Sequence, residues 1–207
     1  MAAYYKTLYP NFSDTICHQL TTGLQLDKNR KLSTFSKGML RQAMIILAFA
    51  SQARYVFFDE TFDGLDPVMR QAVKGLIASA VAEDRMVPVI ASHNLREMED
   101  ICDTVGLLHK SELLFVRELD DMKNDLHKVQ AVFEGDFDAS VLVPMKIIGY
   151  ERRGSLVSFV ARGSVEEISA AMRERNPTFF ETVPLTLEEI FISEMEDKGY
   201  DFSKLVY

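Results

Sequence analysis

The stretch that most constrains the fold runs from Tyr55 to Pro67 and reads YVFFDETFDGLDP. Its first four residues are apolar, three of them aromatic and one β-branched, so they predict a short strand buried on both faces. Asp59 and Glu60 follow at the C-terminal end of this strand, which is where open α/β sheets bind ligands. A carboxylate pair there suits a hydrated Mg²⁺ ion and a water that attacks phosphate, but a strand that ends at its solvated edge explains the same residues.

The residues that follow predict a parallel strand–helix–strand unit. Asp66 is placed to cap a helix over Pro67–Glu83, because proline favours the first helical position. A second apolar strand, Val87–Ser92, stops at His93. The two strands of such a unit are parallel and end at one edge of the sheet, so we expect His93 to lie beside the Asp59–Glu60 pair. Away from such an edge, a histidine at the beginning of a helix needs no chemical role.

A basic segment and an apolar helix precede this unit. Residues Lys28–Lys37 are polar and basic, and Met39–Ala50 is rich in apolar helix formers. Ser36 stands where an N-cap belongs, and Gly38 allows the backbone to approach another group closely. A helix N-terminus attracts anions such as phosphate, although a plain serine cap before a core helix accounts for the same residues.

The sequence predicts further secondary structure on both sides of this region. A helix-like pattern ends before Pro10, and Ser13 can cap a second helix. The residues from Asp103 to Leu126 predict a hairpin and a short polar helix, and from Lys128 onward strands alternate with two helices.

Composition limits the classes of function. The 207 residues are 47% hydrophobic, enough for a sizeable core, and the net charge of −8 argues against binding to nucleic acid or to anionic membranes. Cys17 and Cys102 form no CxxC motif and fit a reducing cytoplasm. The longest apolar stretch is far shorter than the ~20 residues of a membrane span, so direct membrane insertion is not expected and any membrane connection goes through a partner.

Four short motifs, in one order over residues 35–93, resemble those of ABC-type ATPases. FSKGM (35–39) is similar to the signature motif, YVFFDE (55–60) to the Walker B strand, GLD (64–66) to the D-loop, and ASH (91–93) to the switch histidine. The SKGM variant and the C-terminal LTLEEIFISEME are most similar to the ATP-binding subunits of bacterial ABC-2-type exporters.

This resemblance implies roles for three residues at the predicted sheet edge. Asp59 would hold Mg²⁺ through water. Glu60 would be the general base that polarises the attacking water, and His93 would contact the γ-phosphate of ATP.

The resemblance also implies roles for the signature motif and the D-loop. Ser36, Lys37, Gly38 and Met39 would face ATP bound on the opposite subunit. Asp66 would couple the two nucleotide sites across a dimer. Chemistry of this kind depends on positioning and on charge stabilisation, so each part matters in its place.

The resemblance also implies a fold class, cofactors and partners. The fold class is α/β, with a partial P-loop (RecA-like) ABC nucleotide-binding domain in residues 1–127 and a small α/β extension in residues 128–207. The helical subdomain covers about residues 1–50. ATP and Mg²⁺ are the implied cofactors. The implied partners are a second nucleotide-binding domain, identical or not, and a membrane-spanning permease that holds the cytoplasmic chain at the inner face of the cell membrane.

The chain departs from the family pattern in several places. Thr61 stands where the family usually has proline, and Lys37 and Met39 replace a glycine and a glutamine. The printed sequence contains no GxxxxGK[ST] phosphate loop. Its nearest match, Gly149–Ser155, lacks the lysine and is predicted to be a hairpin turn. We therefore expect a chain truncated before its signature motif that is inactive alone for want of a Walker A motif.

Three functions remain open on the sequence. The first is an exporter ATPase subunit that lacks its phosphate loop, and the second is a non-catalytic truncated subunit that lends its signature motif to a partner or binds one. The third is an ABC-type ATPase of DNA repair, against which the acidic balance and the lack of a long heptad repeat argue.

Overall fold

A computed structural model describes residues 1–134 and 146–197. The chain divides into two compact units, residues 1–94 and residues 95–207. The predicted domain boundary between residues 127 and 128 falls inside a strand of the second unit, Leu126–Val132. This boundary stays a prediction. The parts of the predicted extension at 135–145 and 198–207 lie outside the described residues.

Helices open the first unit. They are α1 (Ala2–Leu8), α2 (Asp14–Gly23) and α3 (Lys37–Ala50), with a short 3₁₀ turn at Leu32–Thr34. The predicted caps are confirmed, because the hydroxyls of Ser13 and Ser36 each accept the backbone N–H three residues further on, at 3.2 Å. Helix α2 packs on α3. The buried residues of α3 are Ala43, Ile45, Ile46, Leu47 and Ala50.

The predicted strand–helix–strand unit is confirmed. It consists of β1 (Tyr55–Asp59), α4 (Pro67–Ala82) and β2 (Val87–Ala91). The two strands are parallel, with Asp59 opposite Ala91 at their C-terminal ends. Asp66 caps α4, since its Oδ1 accepts the N–H of Met69 at 2.9 Å.

The prediction that β1 is buried on both faces is wrong. Val56 and Phe58 are 8% and 4% exposed, whereas Tyr55 and Phe57 are 64% and 77% exposed. Successive side chains of a strand point to opposite faces, so one face of β1 is buried and the other is open to solvent. The rings of Phe49 and Phe58 lie 6.4 Å apart, which places α3 against the buried face. The other face is not covered by the described residues of this unit.

The second unit contains a hairpin and a larger antiparallel sheet. Its elements are α5 (Leu95–Glu99), β3 (Thr104–His109), β4 (Glu112–Glu118), α6 (Leu119–Asp125), β5 (Leu126–Val132), β6 (Ile147–Arg153), β7 (Leu156–Arg162), α7 (Val165–Glu174), β8 (Phe179–Pro184) and α8 (Leu187–Asp197). Strands β3 and β4 pair with each other. Over the described residues the other strands form one antiparallel sheet in the order β6-β7-β5-β8. The hairpin predicted around Gly149–Ser155 is confirmed, and so is the mixed α/β class.

Helices cover both faces of this sheet. Alternate residues of β5 and β7, such as Val129 and Phe159, join a core cluster with Ile168 and Met172 of α7. Leu126 joins a second cluster, formed with Met122 of α6, Ile148 of β6, and Leu185 and Ile190 from the α8 region. No helix of the described residues is both long enough and apolar enough to cross a membrane.

Candidate functional site

The C-terminal ends of β1 and β2 bring Glu60 and His93 into contact. Glu60 directly follows β1, and His93 comes two residues after the end of β2. Their side chains meet with Nδ1 of His93 2.8 Å from Oε2 of Glu60. An ionised carboxylate can only accept, so the imidazole donates its Nδ1–H in this pair when Glu60 is ionised. The side chains are 73% (His93) and 35% (Glu60) exposed, so the pair is accessible from solvent.

The backbone of Glu60 is held in an uncommon conformation. Its φ is +46°, a region that non-glycine residues rarely adopt. The Glu60 N–H donates to the carbonyl of Ala91 at 2.9 Å, and its own carbonyl accepts the N–H of Asp63 at 3.2 Å. These two bonds join the residue to β2 and to the loop that follows it. Backbone strain of this kind is maintained only where the surrounding structure stabilises it.

Buried side chains anchor the loop between Glu60 and α4. Thr61, Phe62 and Leu65 are 8%, 2% and 5% exposed. The N–H of Leu65 donates to the carbonyl of Phe62 at 3.2 Å and closes a turn within the loop. The Thr61 side chain is thus packed inside the unit at the position where the sequence departs from the ABC pattern.

Asp63 is a third member of the Glu60–His93 group. One carboxylate oxygen of Glu60, one of Asp63 and one ring nitrogen of His93 all lie within 4.8 Å of one another. The sequence motifs assign no role to Asp63. The signal was its spacing, since a residue three positions after Glu60 in a tight loop returns to the same side. Asp59, which was predicted as the metal ligand, is exposed and is not part of this group.

The N-terminus of α3 packs against the same loop. A Cβ atom on Gly38 would stand 2.8 Å from the carbonyl oxygen of Gly64, and the side chain of Lys37 lies over Gly64 with its nearest carbon 3.5 Å from a Cβ built there. Gly64 has a φ of +77°, which glycine adopts without strain. From the same helix, Nη1 of Arg41 lies 3.5 Å from the carbonyl oxygen of Asp59. The close approach predicted for Gly38 is therefore made to the loop of its own chain.

Three curated proteins illustrate the similarity of this chain to known ones. The ABC transporter ATP-binding protein YtrB of Bacillus subtilis is 29% identical over 93% of this chain and 66% of the relative. An uncharacterized ABC transporter ATP-binding protein of Synechocystis, sll0415, is 24% identical over 91% of this chain and 53% of the relative. The lantibiotic transport ATP-binding protein SrtF of Streptococcus pyogenes is 31% identical over 53% of this chain and 48% of the relative.

This chain is a homologue of ABC transporter ATP-binding proteins. It spans about half to two thirds of the length of these three relatives. No protein-family model matches it. A solved structure of the ATP binding subunit of an ABC transporter is 27% identical, covers 54% of this chain and 48% of that chain, and has a TM-score of 0.44, which is too low to establish a shared fold.

In this ABC homologue, the predicted site residues fall into two groups. Asp59, Glu60 and His93 lie at the C-terminal edge of the two-stranded sheet, as predicted. Residues 36–39, which are predicted to contact nucleotide, lie at the N-terminus of α3, and Asp66, the predicted D-loop residue, caps α4. The close approach of Gly38 to Gly64 places the beginning of α3 against the loop that connects Glu60 to Asp66.

Proposed function

We propose that this chain contributes the signature, Walker B, D-loop and switch-histidine parts of the ATP-hydrolysing site of an ABC-type membrane exporter. The observation that carries the proposal is the 2.8 Å contact between Nδ1 of His93 and Oε2 of Glu60 at the ends of two parallel strands. A carboxylate at the carboxyl end of a strand suits phosphoryl transfer, which needs a residue to orient the attacking nucleophile.

The residues at this edge suit Mg²⁺ and ATP. Mg²⁺ takes oxygen ligands and keeps several waters, and the exposed carboxylate of Asp59 can serve such an ion through water. Bound Mg²⁺-ATP would supply the phosphoanhydride bond that water cleaves. The loop around Glu60 is anchored by buried side chains, so Glu60 and His93 can act from a preorganised backbone.

Glu60 is the general base in this proposal, and His93 orients it. The Nδ1–H of His93 holds one carboxylate oxygen of Glu60, which leaves the other oxygen to accept a proton from the attacking water. Glu60 and His93 are linked through backbone as well, because the Glu60 N–H bonds to Ala91 two residues before His93. A shift of either strand end would therefore disturb both side chains.

The signature segment is proposed to face a nucleotide on another subunit. Helix α3 begins at Lys37 and is 14 residues long. The N-terminus of such a helix offers free N–H groups and a positive dipole end to phosphate. The Ser36 hydroxyl accepts the N–H of Met39 at 3.2 Å, and it can still donate its hydrogen to a phosphate oxygen. The side chain of Lys37, which packs over Gly64, adds a positive charge there.

The proposed partners are a second nucleotide-binding domain and a membrane-spanning permease. The dimer follows from the signature segment and the Glu60–His93 pair serving different nucleotides. Cytoplasmic location at the inner face of the membrane would then come from the permease.

Calorimetry with Mg-ATP tests the proposal on the 207-residue chain. Since the 207 residues contain no GxxxxGK[ST], the motif whose backbone cradles the β- and γ-phosphates, we expect a dissociation constant for Mg-ATP above about 1 mM and no hydrolysis. Purified YtrB is the positive control for the assay. Micromolar binding by the chain alone would overturn the expectation that nucleotide binding needs a phosphate loop supplied by another chain segment.

A second candidate function is a non-catalytic one, in which the chain lends its signature segment to the nucleotide of a partner. The exposed Ser36 at the beginning of α3 supports it, since this group needs no phosphate loop of its own chain. In that case Ser36→Ala would alter the activity of a partner subunit, whereas Glu60→Gln would not. A partner whose activity responds to Glu60→Gln instead would favour the catalytic proposal.

A further inference from the structure

We propose that Glu60, Asp63 and His93 form a binding site for a divalent transition-metal ion, distinct from the Mg²⁺ expected at Asp59. This inference goes beyond the proposed function, because it requires neither nucleotide nor a partner subunit. Asp63, a residue outside the ABC-type roles, completes the set of three ligands with Glu60 and His93.

The spacing of the three donor atoms suits a single ion. One oxygen of each carboxylate and one imidazole nitrogen lie within 4.8 Å of one another. Ligands of a tetrahedral Zn²⁺ ion stand about 2.0–2.2 Å from the metal and hence roughly 3.3 Å apart. Oε2 of Glu60 and Nδ1 of His93, 2.8 Å apart, are already close to that separation. Rotation of side chains alone can therefore bring the set around an ion.

The backbone holds these side chains on two fixed segments. Asp63 is joined to Glu60 by the bond from its N–H to the Glu60 carbonyl at 3.2 Å, and Glu60 is joined to β2 by the bond to Ala91 at 2.9 Å. The intervening Phe62 is 2% exposed and anchors the loop in the core of the unit. Sites built on such supported segments lose little conformational entropy when the ligand binds.

The chemistry of the donor set selects the kind of ion. An imidazole nitrogen with two carboxylates suits Zn²⁺, Mn²⁺ or Co²⁺, whereas Mg²⁺ and Ca²⁺ prefer oxygen ligands only. Two carboxylates and a neutral imidazole carry a charge of −2, which one divalent cation neutralises. Three protein ligands leave a coordination position for water or for an oxygen of a phosphate.

Metal binding has a consequence for the proposed catalytic role of Glu60. An ion at this site takes one carboxylate oxygen of Glu60 and the Nδ1 of His93, so it breaks the bond by which His93 orients Glu60 and makes the Glu60 carboxylate a weaker base. A transition metal would then compete with hydrolysis in an assembled transporter. The binding itself is measurable without any activity, so a failure of the metal site and a failure of the proposed function are distinguishable.

Titration of the tag-free 207-residue chain with ZnCl₂ and CoCl₂ in phosphate-free buffer tests the site. We expect one ion per chain, with affinity weakened roughly tenfold or more by Asp63→Asn and by His93→Gln. Asp84→Asn is the matched control, since Asp84 lies in the same unit at the opposite end of the strands and its side chain is 88% exposed. This control should bind the ion as the wild type does.

Nuclear magnetic resonance locates the ion independently of affinity. Substoichiometric Mn²⁺ should broaden the signals of residues 60–63 and 93 before those of the other three histidines, His18, His109 and His127. Broadening centred on another histidine, or Zn²⁺ affinity unchanged in Asp63→Asn, would overturn the proposal. Circular dichroism of each variant confirms that it is folded, so a loss of binding is attributable to the missing ligand.

Discussion

The carbonyl oxygen of Gly64 lies only 2.8 Å from the position that a Cβ atom on Gly38 would occupy. Because the obstacle is backbone, the first turn of α3 or the loop must move to admit a side chain. We expect Gly38→Ala to lower the free energy of unfolding by about 1–3 kcal/mol, as overpacked sites do. Urea denaturation measures it.

Gly75→Ala is the control for this substitution. Gly75 lies within α4, and a Cβ atom there would meet nothing within 4 Å. Alanine in a helix interior is favoured over glycine by about 0.5–1 kcal/mol, so this variant should be slightly more stable than the wild type. Equal destabilisation by both variants would show that the contact with Gly64 does not limit position 38.

Adjacent phenylalanines of β1 should respond very differently to truncation. Phe58 is 4% exposed and Phe57 is 77% exposed. We expect Phe58→Ala to destabilise the chain by about 3–5 kcal/mol and Phe57→Ala to change stability by less than about 1 kcal/mol. Thermal unfolding of the two variants measures the difference. Similar losses for both would mean that the Phe57 face of β1 is covered.

An ion-pair network in the second unit should contribute more to stability than a surface pair. Arg162 lies 3.0 Å from Glu194, contacts Asp125, and has a side chain that is 20% exposed. Arg117 bonds to the same two carboxylates, at 3.1 and 3.2 Å. Removing Arg162 would leave these partly buried acids with less neutralisation, so Arg162→Met should cost about 2 kcal/mol, discounted for partial exposure.

Arg153→Met is the matched comparison for the network. The Arg153 side chain is 83% exposed and lies 3.3 Å from Glu151, so its removal should change stability by less than about 0.5 kcal/mol. Chemical denaturation at low and at high salt measures both variants. A loss for Arg162→Met no greater than for Arg153→Met would contradict a stabilising network.

Glu167, the acidic residue of the capping box at the beginning of α7, should have a pKa below the ordinary value of glutamate. The backbone N–H of Ser164, and then its hydroxyl, donate to the Glu167 carboxylate at 3.0 Å and lower the pKa of Glu167 below 4.5. The folded-state pKa is thus below the unfolded one. The ionised group therefore stabilises α7 fully above about pH 4.5, and this stabilisation is lost as the pH falls through the folded pKa.

Carbon-detected NMR of the Glu167 carboxyl measures this pKa. Ser164→Ala removes the hydroxyl donor but keeps the backbone N–H, so the pKa should rise part of the way toward 4.5, whereas Ser164→Thr should preserve it. Equal titration midpoints in the wild type and Ser164→Ala would show that the hydroxyl does not act on Glu167.

Local patterns predicted much of this structure. Ser13, Ser36 and Asp66 cap the helices they were expected to cap, because capping depends on residues three positions apart. The contact of His93 with Glu60 followed from the geometry of parallel strands. Such features need only the sequence order of the elements.

Features that depend on tertiary packing could not be predicted. The apolar run of β1 did not reveal that Phe57 is exposed. A short apolar run can belong to a strand covered on one face or to a strand covered on both faces, so the sequence does not distinguish them. Nor did Gly38 indicate that its close neighbour is Gly64, since the two residues belong to different elements. The spacing of Asp63 from Glu60 could place the two residues on one side of a loop, but the proximity of the Asp63 carboxylate to His93 depends on how the loop packs.

The central claim is that this chain supplies part of an ABC-type ATP site. Its most direct test is the ATPase rate of YtrB mixed with increasing amounts of the 207-residue chain. If the chain pairs with an ABC nucleotide-binding domain and presents Ser36 to its nucleotide, the rate should change at least twofold, and Ser36→Ala should abolish or reverse the change. Ser79→Ala, which alters an exposed serine of α4, should act like the wild type. A YtrB rate that stays the same at every ratio of the two proteins would contradict the account.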